Sequence, residues 1–99
     1  MSVQTIRHVV IHGRVQGVGY RVFTEYAALD RGLSGWVRNR RDGAVEAVFA
    51  GPPEAVAAVI EACRRGPPGA RVDAIEERQG TVGESEMGGR EQFAVLPTA

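Results

Sequence analysis

SGWVRNRRDGAVEAVFAG, Ser34 to Gly51, is two extended runs joined by a turn. Ser34 to Asn39 reads as a strand, and alternation resumes through Val45, Ala47 and Phe49. Asp42-Gly43 between the runs is a hairpin signal, because glycine admits the backbone angles that a tight turn needs. Upstream, Val22, Tyr26, Leu29 and Leu33 follow i, i+4, i+7 and i+11, so Arg21 to Arg31 is expected to be a helix burying that stripe, stopped at Gly32. Before it, Ile6 to Gly13 alternates as a strand, with Val9 and Ile11 on one face and His8, Val10 and His12 on the other. Downstream, GPPEAVAAVIEACRRG, 51–66, opens with proline and closes with glycine, the usual polarity of a helix, and buries Val56, Val59, Ile60 and Cys63. Pro67-Pro68-Gly69 break the chain, Ala70 to Arg78 form a fourth strand, and Gln79 to Arg90 is expected to be a surface loop before a short strand in Glu91 to Leu96. The order β-α-β-β-α-β predicts an α+β, ferredoxin-like sandwich: an antiparallel sheet, two helices on one face and a short fifth strand. Residues 1–99 are expected to form a single domain.

The totals narrow the function. Net charge is +0 and the pI about 6.7, which removes the broad basic footprint of a nucleic-acid binder. All basic residues are arginine, so a lysine nucleophile or Schiff base is excluded. Cys63 is the one cysteine, so no internal disulfide forms. No run has the length of a membrane span or the pattern of a signal peptide, and a reducing, cytoplasmic setting is expected.

HGRVQGVGYR, His12 to Arg21, joins the first strand to the first helix. Three glycines fall within seven residues, and an arginine follows at once. It is not a dinucleotide fingerprint, since Val22 stands where a third glycine would be needed, nor a Gly-Lys-Ser/Thr phosphate loop. The physical logic of those motifs still applies. A glycine-rich turn before a helix aims several N–H groups into one concavity, which suits an anion. Arg21 is unfavourable at the positive end of a helix by about 0.3–1 kcal/mol, and favourable once a phosphate shares the site. On composition alone, an ordinary tight turn with a solvated arginine is an equal reading. The topology adds Asn39. Strands 1 and 2 run parallel with strand 3 between them, so Arg21 and Asn39 lie at one sheet edge, roughly 10 Å apart. Taken alone, an asparagine before a hairpin is a turn former.

GRVQGVGYR and GWVRNRRDGAVEAVFAGP together resemble the two signature segments of the acylphosphatases. Gly13, Val15, Gln16, Gly17, Val18, Tyr20 and Arg21 fill the first; Gly35, Trp36, Asn39, Gly43, Val45 and Gly51 fill the second. The resemblance runs from about residue 7 to residue 78. It implies a small monomeric hydrolase that cleaves the carboxyl–phosphate bond of small-molecule acyl phosphates, without metal or cofactor, membrane or nucleic acid. By the same resemblance, Arg21 and the loop residues Gln16, Gly17, Val18, Gly19 and Tyr20 bind the phosphoryl group, and Asn39 orients the attacking water. Tyr20 stands where phenylalanine is more usual, and its hydroxyl needs water or a partner. The ending LPTA lacks the aromatic found in some relatives, a departure that bears on the final strand and not on the site.

Other groups read as structural. His8 and His12 lie ~13 Å apart along a strand, which argues against zinc chelation, and are expected to face outward. Cys63 has the spacing of a core residue. Arg38, Arg40 and Arg41 are expected to form a solvated face, and Glu76, Glu77, Glu84 and Glu86 to be surface charges. Two alternatives stand beside an acylphosphatase. One is a non-catalytic phosphate- or carbamoyl-phosphate-binding module of the same fold. The other is an RNA-binding sheet, which lacks its aromatic platform here because alternation turns Phe49 inward.

Overall fold

The computed structural model describes residues 4–89 and 92–99. Its elements are β1 (Thr5–Arg14), α1 (Tyr20–Asp30), β2 (Ser34–Asn39), β3 (Val45–Gly51), α2 (Pro53–Arg65), β4 (Arg71–Gln79), α3 (Val82–Ser85), a 3-10 turn (Glu86–Gly88) and β5 (Ala94–Val95). The expected βαββαβ order is present. Residues 90 and 91, at the end of the expected loop and the start of the expected last strand, lie outside the described residues.

The sheet order is β4-β1-β3-β2-β5. β1 and β2 each pair antiparallel with β3, so they run parallel to each other and end on the same side. β5 pairs parallel with β2, Trp36 opposite Ala94 and Val37 opposite Val95, so the sheet is mixed and not wholly antiparallel. Its parallel sense follows from the long connection across the opposite face, which a hairpin could not make.

Alternation sorts the two faces as expected. Val9, Ile11, Val37, Val45, Ala47 and Phe49 join Val56, Val59, Ile60 and Cys63 of α2 in one core, and Phe93 stacks on Phe49 with ring centroids 5.6 Å apart. The apolar stripe of α1 does not. Val22, Tyr26 and Leu29 are 52, 68 and 38% exposed, and the helix buries Tyr20, Thr24 and Ala28 instead. Two rows of α1 fit the helical period, and polarity alone favours the wrong one. The decision is made by packing: the Tyr20 hydroxyl donates to the Cys63 carbonyl on α2, and Thr24 donates to the Tyr20 carbonyl at 2.9 Å. Desolvation by burial, with Cys63 beside it, raises the Tyr20 hydroxyl far above its ordinary value, so it serves as a neutral donor.

The second correction is the segment after β4. It is not a plain surface loop. Thr81 and Glu84 form a reciprocal capping box: the Glu84 N–H donates to the Thr81 hydroxyl, and the Thr81 N–H to the Glu84 carboxylate. Glu84 also pairs with Arg78 at 2.6 Å. The Trp36 indole N–H donates to the Glu84 carbonyl at 2.6 Å. Trp36 precedes inward-facing Val37, so it points to the other face, and α3 covers that face there. The helices are therefore not confined to one side. Arg38 lies over the Trp36 ring at 4.7 Å and pairs with Glu46 at 2.8 Å, while Arg40 pairs with Asp42 at 2.6 Å. Of the three arginines expected on a solvated face, two are thus committed to carboxylates. His8 lies on the face away from α1 and α2 as expected, but it is buried there against Glu46 at 2.7 Å; His12 meets Glu76. Burial would raise the Glu46 carboxyl, but the hydrogen bonds from His8 and Arg38 outweigh it and hold it below its ordinary value.

Candidate active site

β1 ends at Arg14 and α1 begins at Tyr20, and the link between them turns on two left-handed glycines, Gly17 at φ +75° and Gly19 at φ +79°. Any other residue would be strained at both positions, and the turn folds the backbone into a concavity. The first intrahelical bond of α1 runs from the Phe23 N–H to the Gly19 carbonyl at 3.0 Å. The N–H groups of Tyr20, Arg21 and Val22 therefore have no intrahelical acceptor. Gly19 at the N-cap brings no side-chain cap, and no acidic residue stands in the first turn. Among the described residues, no backbone hydrogen bond claims the N–H groups of Gln16 to Gly19 either.

The loop and the first turn of α1 border a cleft of about 110 Å³ lined by Val15, Gln16, Gly17, Gly19, Tyr20, Arg21, Val22 and Asn39. That is well below the ~300–1,000 Å³ of pockets for larger ligands, and on the scale of a small anion. Arg21 and Asn39, placed at one sheet edge from topology alone, line it together. The Arg21 guanidinium has no carboxylate partner among the described residues. Asn39 Oδ1 is buried, and no donor among the described residues reaches it. A buried amide oxygen without a donor costs about 1–3 kcal/mol, so it is a group shaped to receive one.

The backbone of Asn39 is held from two sides. It pairs with Val45 across the hairpin, and its carbonyl accepts the Ala99 N–H at 3.0 Å. The Leu96 N–H donates to the Val37 carbonyl at 2.9 Å, so residues 96–99 run along β2 up to the site. The departure at LPTA therefore does touch the strand that carries Asn39. These long-range backbone bonds leave no mark in local sequence.

The residues expected to bind phosphoryl groups divide into two kinds. Gln16 spends both side-chain donors on the β2–β3 hairpin, reaching the carbonyls of Arg40 at 2.8 Å and Ala44 at 2.9 Å. It fastens the glycine loop to the turn beyond Asn39 and leaves only its backbone N–H for the cleft. Tyr20 is 1% exposed with its ring in the core, so it too can offer only backbone. Val18 packs against the core from the loop and does not line the cleft. Gly17, Gly19 and Arg21 face it directly. Cys63 is buried, and burial pushes its thiol up to about 11, which suits packing and not nucleophilic work. Arranged this way, the cleft can hold a multiply charged oxyanion by one guanidinium and several amides, and hold a water at Asn39.

The comparisons with known proteins bear on the family. Residues 7–94 match the family model described as Acylphosphatase. An acylphosphatase of Rhodopseudomonas palustris is 56% identical, over 94% of this chain and 95% of its own length. The crystal structure of acylphosphatase from Bacillus subtilis superposes with a TM-score of 0.83 at 34% identity, covering 95% of this chain and 99% of that one. Full-length HypF, in a phosphate- and nucleotide-bound form, gives a TM-score of 0.84 at 26% identity, covering 99% of this chain but 12% of that one. With the family model spanning both signature segments, and a relative matched over nearly its whole length, the chain belongs to the acylphosphatase family.

Proposed function

We propose that the protein hydrolyses acyl phosphates to a carboxylate and inorganic phosphate, with the β1–α1 loop and Arg21 binding the phosphoryl group and Asn39 placing the water. The observation that carries this reading is the meeting, around one small cleft, of an unpaired guanidinium, an uncapped helix N-terminus and the side-chain amide of Asn39.

The chemistry asks for little more. The leaving carboxylate has a conjugate acid of pKa near ~4, so it departs at neutral pH without a general acid. Arg21 takes two phosphoryl oxygens with its planar fork, and the amides of the loop and first helical turn take the rest. Charge building on those oxygens is met by donors already in place. The side-chain amide of Asn39 hydrogen-bonds the water and turns its lone pair toward phosphorus. The oxygen–phosphorus bond to water forms as the bond to the acyl oxygen breaks, and that electron pair leaves with the carboxylate. The proton of the water passes to a non-bridging phosphate oxygen, which balances the step without a protein base.

One continuous sheet around one core supports a single domain, which we propose acts as a monomer, and a lone buried cysteine suits a cytoplasmic setting. The test is turnover of acetyl phosphate by the purified protein, with carboxylate and phosphate released in equal amounts and phosphate inhibiting competitively. Tight phosphate binding without turnover would instead make the chain a phosphate- or carbamoyl-phosphate-binding module.

A further inference from the structure

The face of α1 that the core leaves out begins at the cleft. Val22 lines the cleft and is 52% exposed. One turn further on the same face stands Tyr26, 68% exposed, and then Leu29. Beside them is a shallow, mainly apolar depression of about 630 Å³ formed by Phe23, Tyr26, Ala27, Leu29 and Asp30. An apolar track therefore leads away from the anion end of the helix for seven residues, roughly 10 Å at the helical rise. A track of this length is the size of a short hydrocarbon tail, and it starts at Val22 on the wall of the cleft.

We infer that this face is the acyl subsite, and that the enzyme favours aliphatic or aryl acyl phosphates whose tail runs from Val22 across Tyr26 toward Leu29. The inference rests on the phosphoryl site proposed above and adds the identity of the substrate's other half. The observed exposure is then purposeful: three large apolar side chains stand in water because the substrate covers them.

The test measures binding apart from turnover. Methyl-, butyl- and hexylphosphonate are titrated into the folded protein by calorimetry. Affinity is expected to rise about two- to threefold per added methylene, short of full burial because the track is open on one side. Substituting both Tyr26→Ser and Leu29→Ser should cut the hexyl-to-methyl affinity ratio at least about fivefold. Both positions are exposed, so the variant folds, which its melting curve verifies. A flat series in the wild type overturns the inference, as does the same rise in the double variant, which would put the tail elsewhere. Failure to bind any phosphonate overturns the phosphoryl site and this subsite together. Acetyl phosphate turnover by the same preparation tests the hydrolytic reading separately.

Discussion

The first turns of α1 and α3 both follow glycine-containing polar segments, and they settle their N–H groups in opposite ways. At α3, Thr81 and Glu84 cap each other's backbone and Arg78 neutralises the carboxylate. At α1, Gly19 supplies no cap, the first turn holds no acid, and Arg21 adds positive charge where the dipole is already positive. The α3 end is complete within the protein; the α1 end is complete only with an anion. Stability without a ligand and affinity for one are here alternative uses of the same kind of backbone group.

The largest expected effect lies at the incomplete end. Arg21→Ala should abolish turnover and phosphate inhibition while the fold persists. Arg21→Lys should restore little, because an ammonium lacks the planar fork. Near wild-type turnover in the lysine variant would show that bidentate geometry is not what the site uses.

Asn39 comes next. It lines the cleft while its backbone is held by Val45 and Ala99. Asn39→Ala should lower the maximal rate by roughly 100-fold, the size of a lost positioning group, and leave competitive inhibition by phosphate almost unchanged. Loss of phosphate affinity with an intact maximal rate would move Asn39 from placing water to binding the anion.

The smallest effects compare the two helix ends in one set of thermal melts. Phosphate at a hundredfold excess over its dissociation constant should stabilise the wild type by about 2.7 kcal/mol, a shift of about 10 °C for a domain of this size. Arg21→Ala should lose most of that shift. Thr81→Ala should lower stability by about 1 kcal/mol with or without phosphate and keep the full shift, since that end serves no ligand. Acid should distinguish the ends as well. The Arg78 guanidinium, and then the Thr81 N–H, hold the Glu84 carboxyl down at about 2. The unfolded chain binds that proton at the ordinary value near ~4.3, so the stability is present above that pH and lost as pH falls toward about 2. Glu84→Gln should flatten that part of the pH–stability curve. An unchanged acid limb would show that Glu84 contributes nothing to it.

The sequence by itself determined the strands, because a half-buried strand writes its two faces into alternate residues. Val9 and Ile11, and Val45, Ala47 and Phe49, could be assigned from that pattern alone. It also placed Arg21 and Asn39 together, since strand order and direction fix which chain ends meet at one edge. A capping box was written in Thr81 and Glu84 as well, but a glycine-rich surrounding hid a helix of only four residues. Only the tertiary structure decided which row of α1 is buried. Tyr20, Thr24 and Ala28 compete with a more apolar row, and the winner depends on a hydroxyl meeting the Cys63 carbonyl, 43 residues away in the chain. The clamp of Ala99 on Asn39 and the brace of Gln16 on the hairpin are of the same kind. They are bonds to backbone carbonyls, which every residue type carries, so no side-chain pattern announces them.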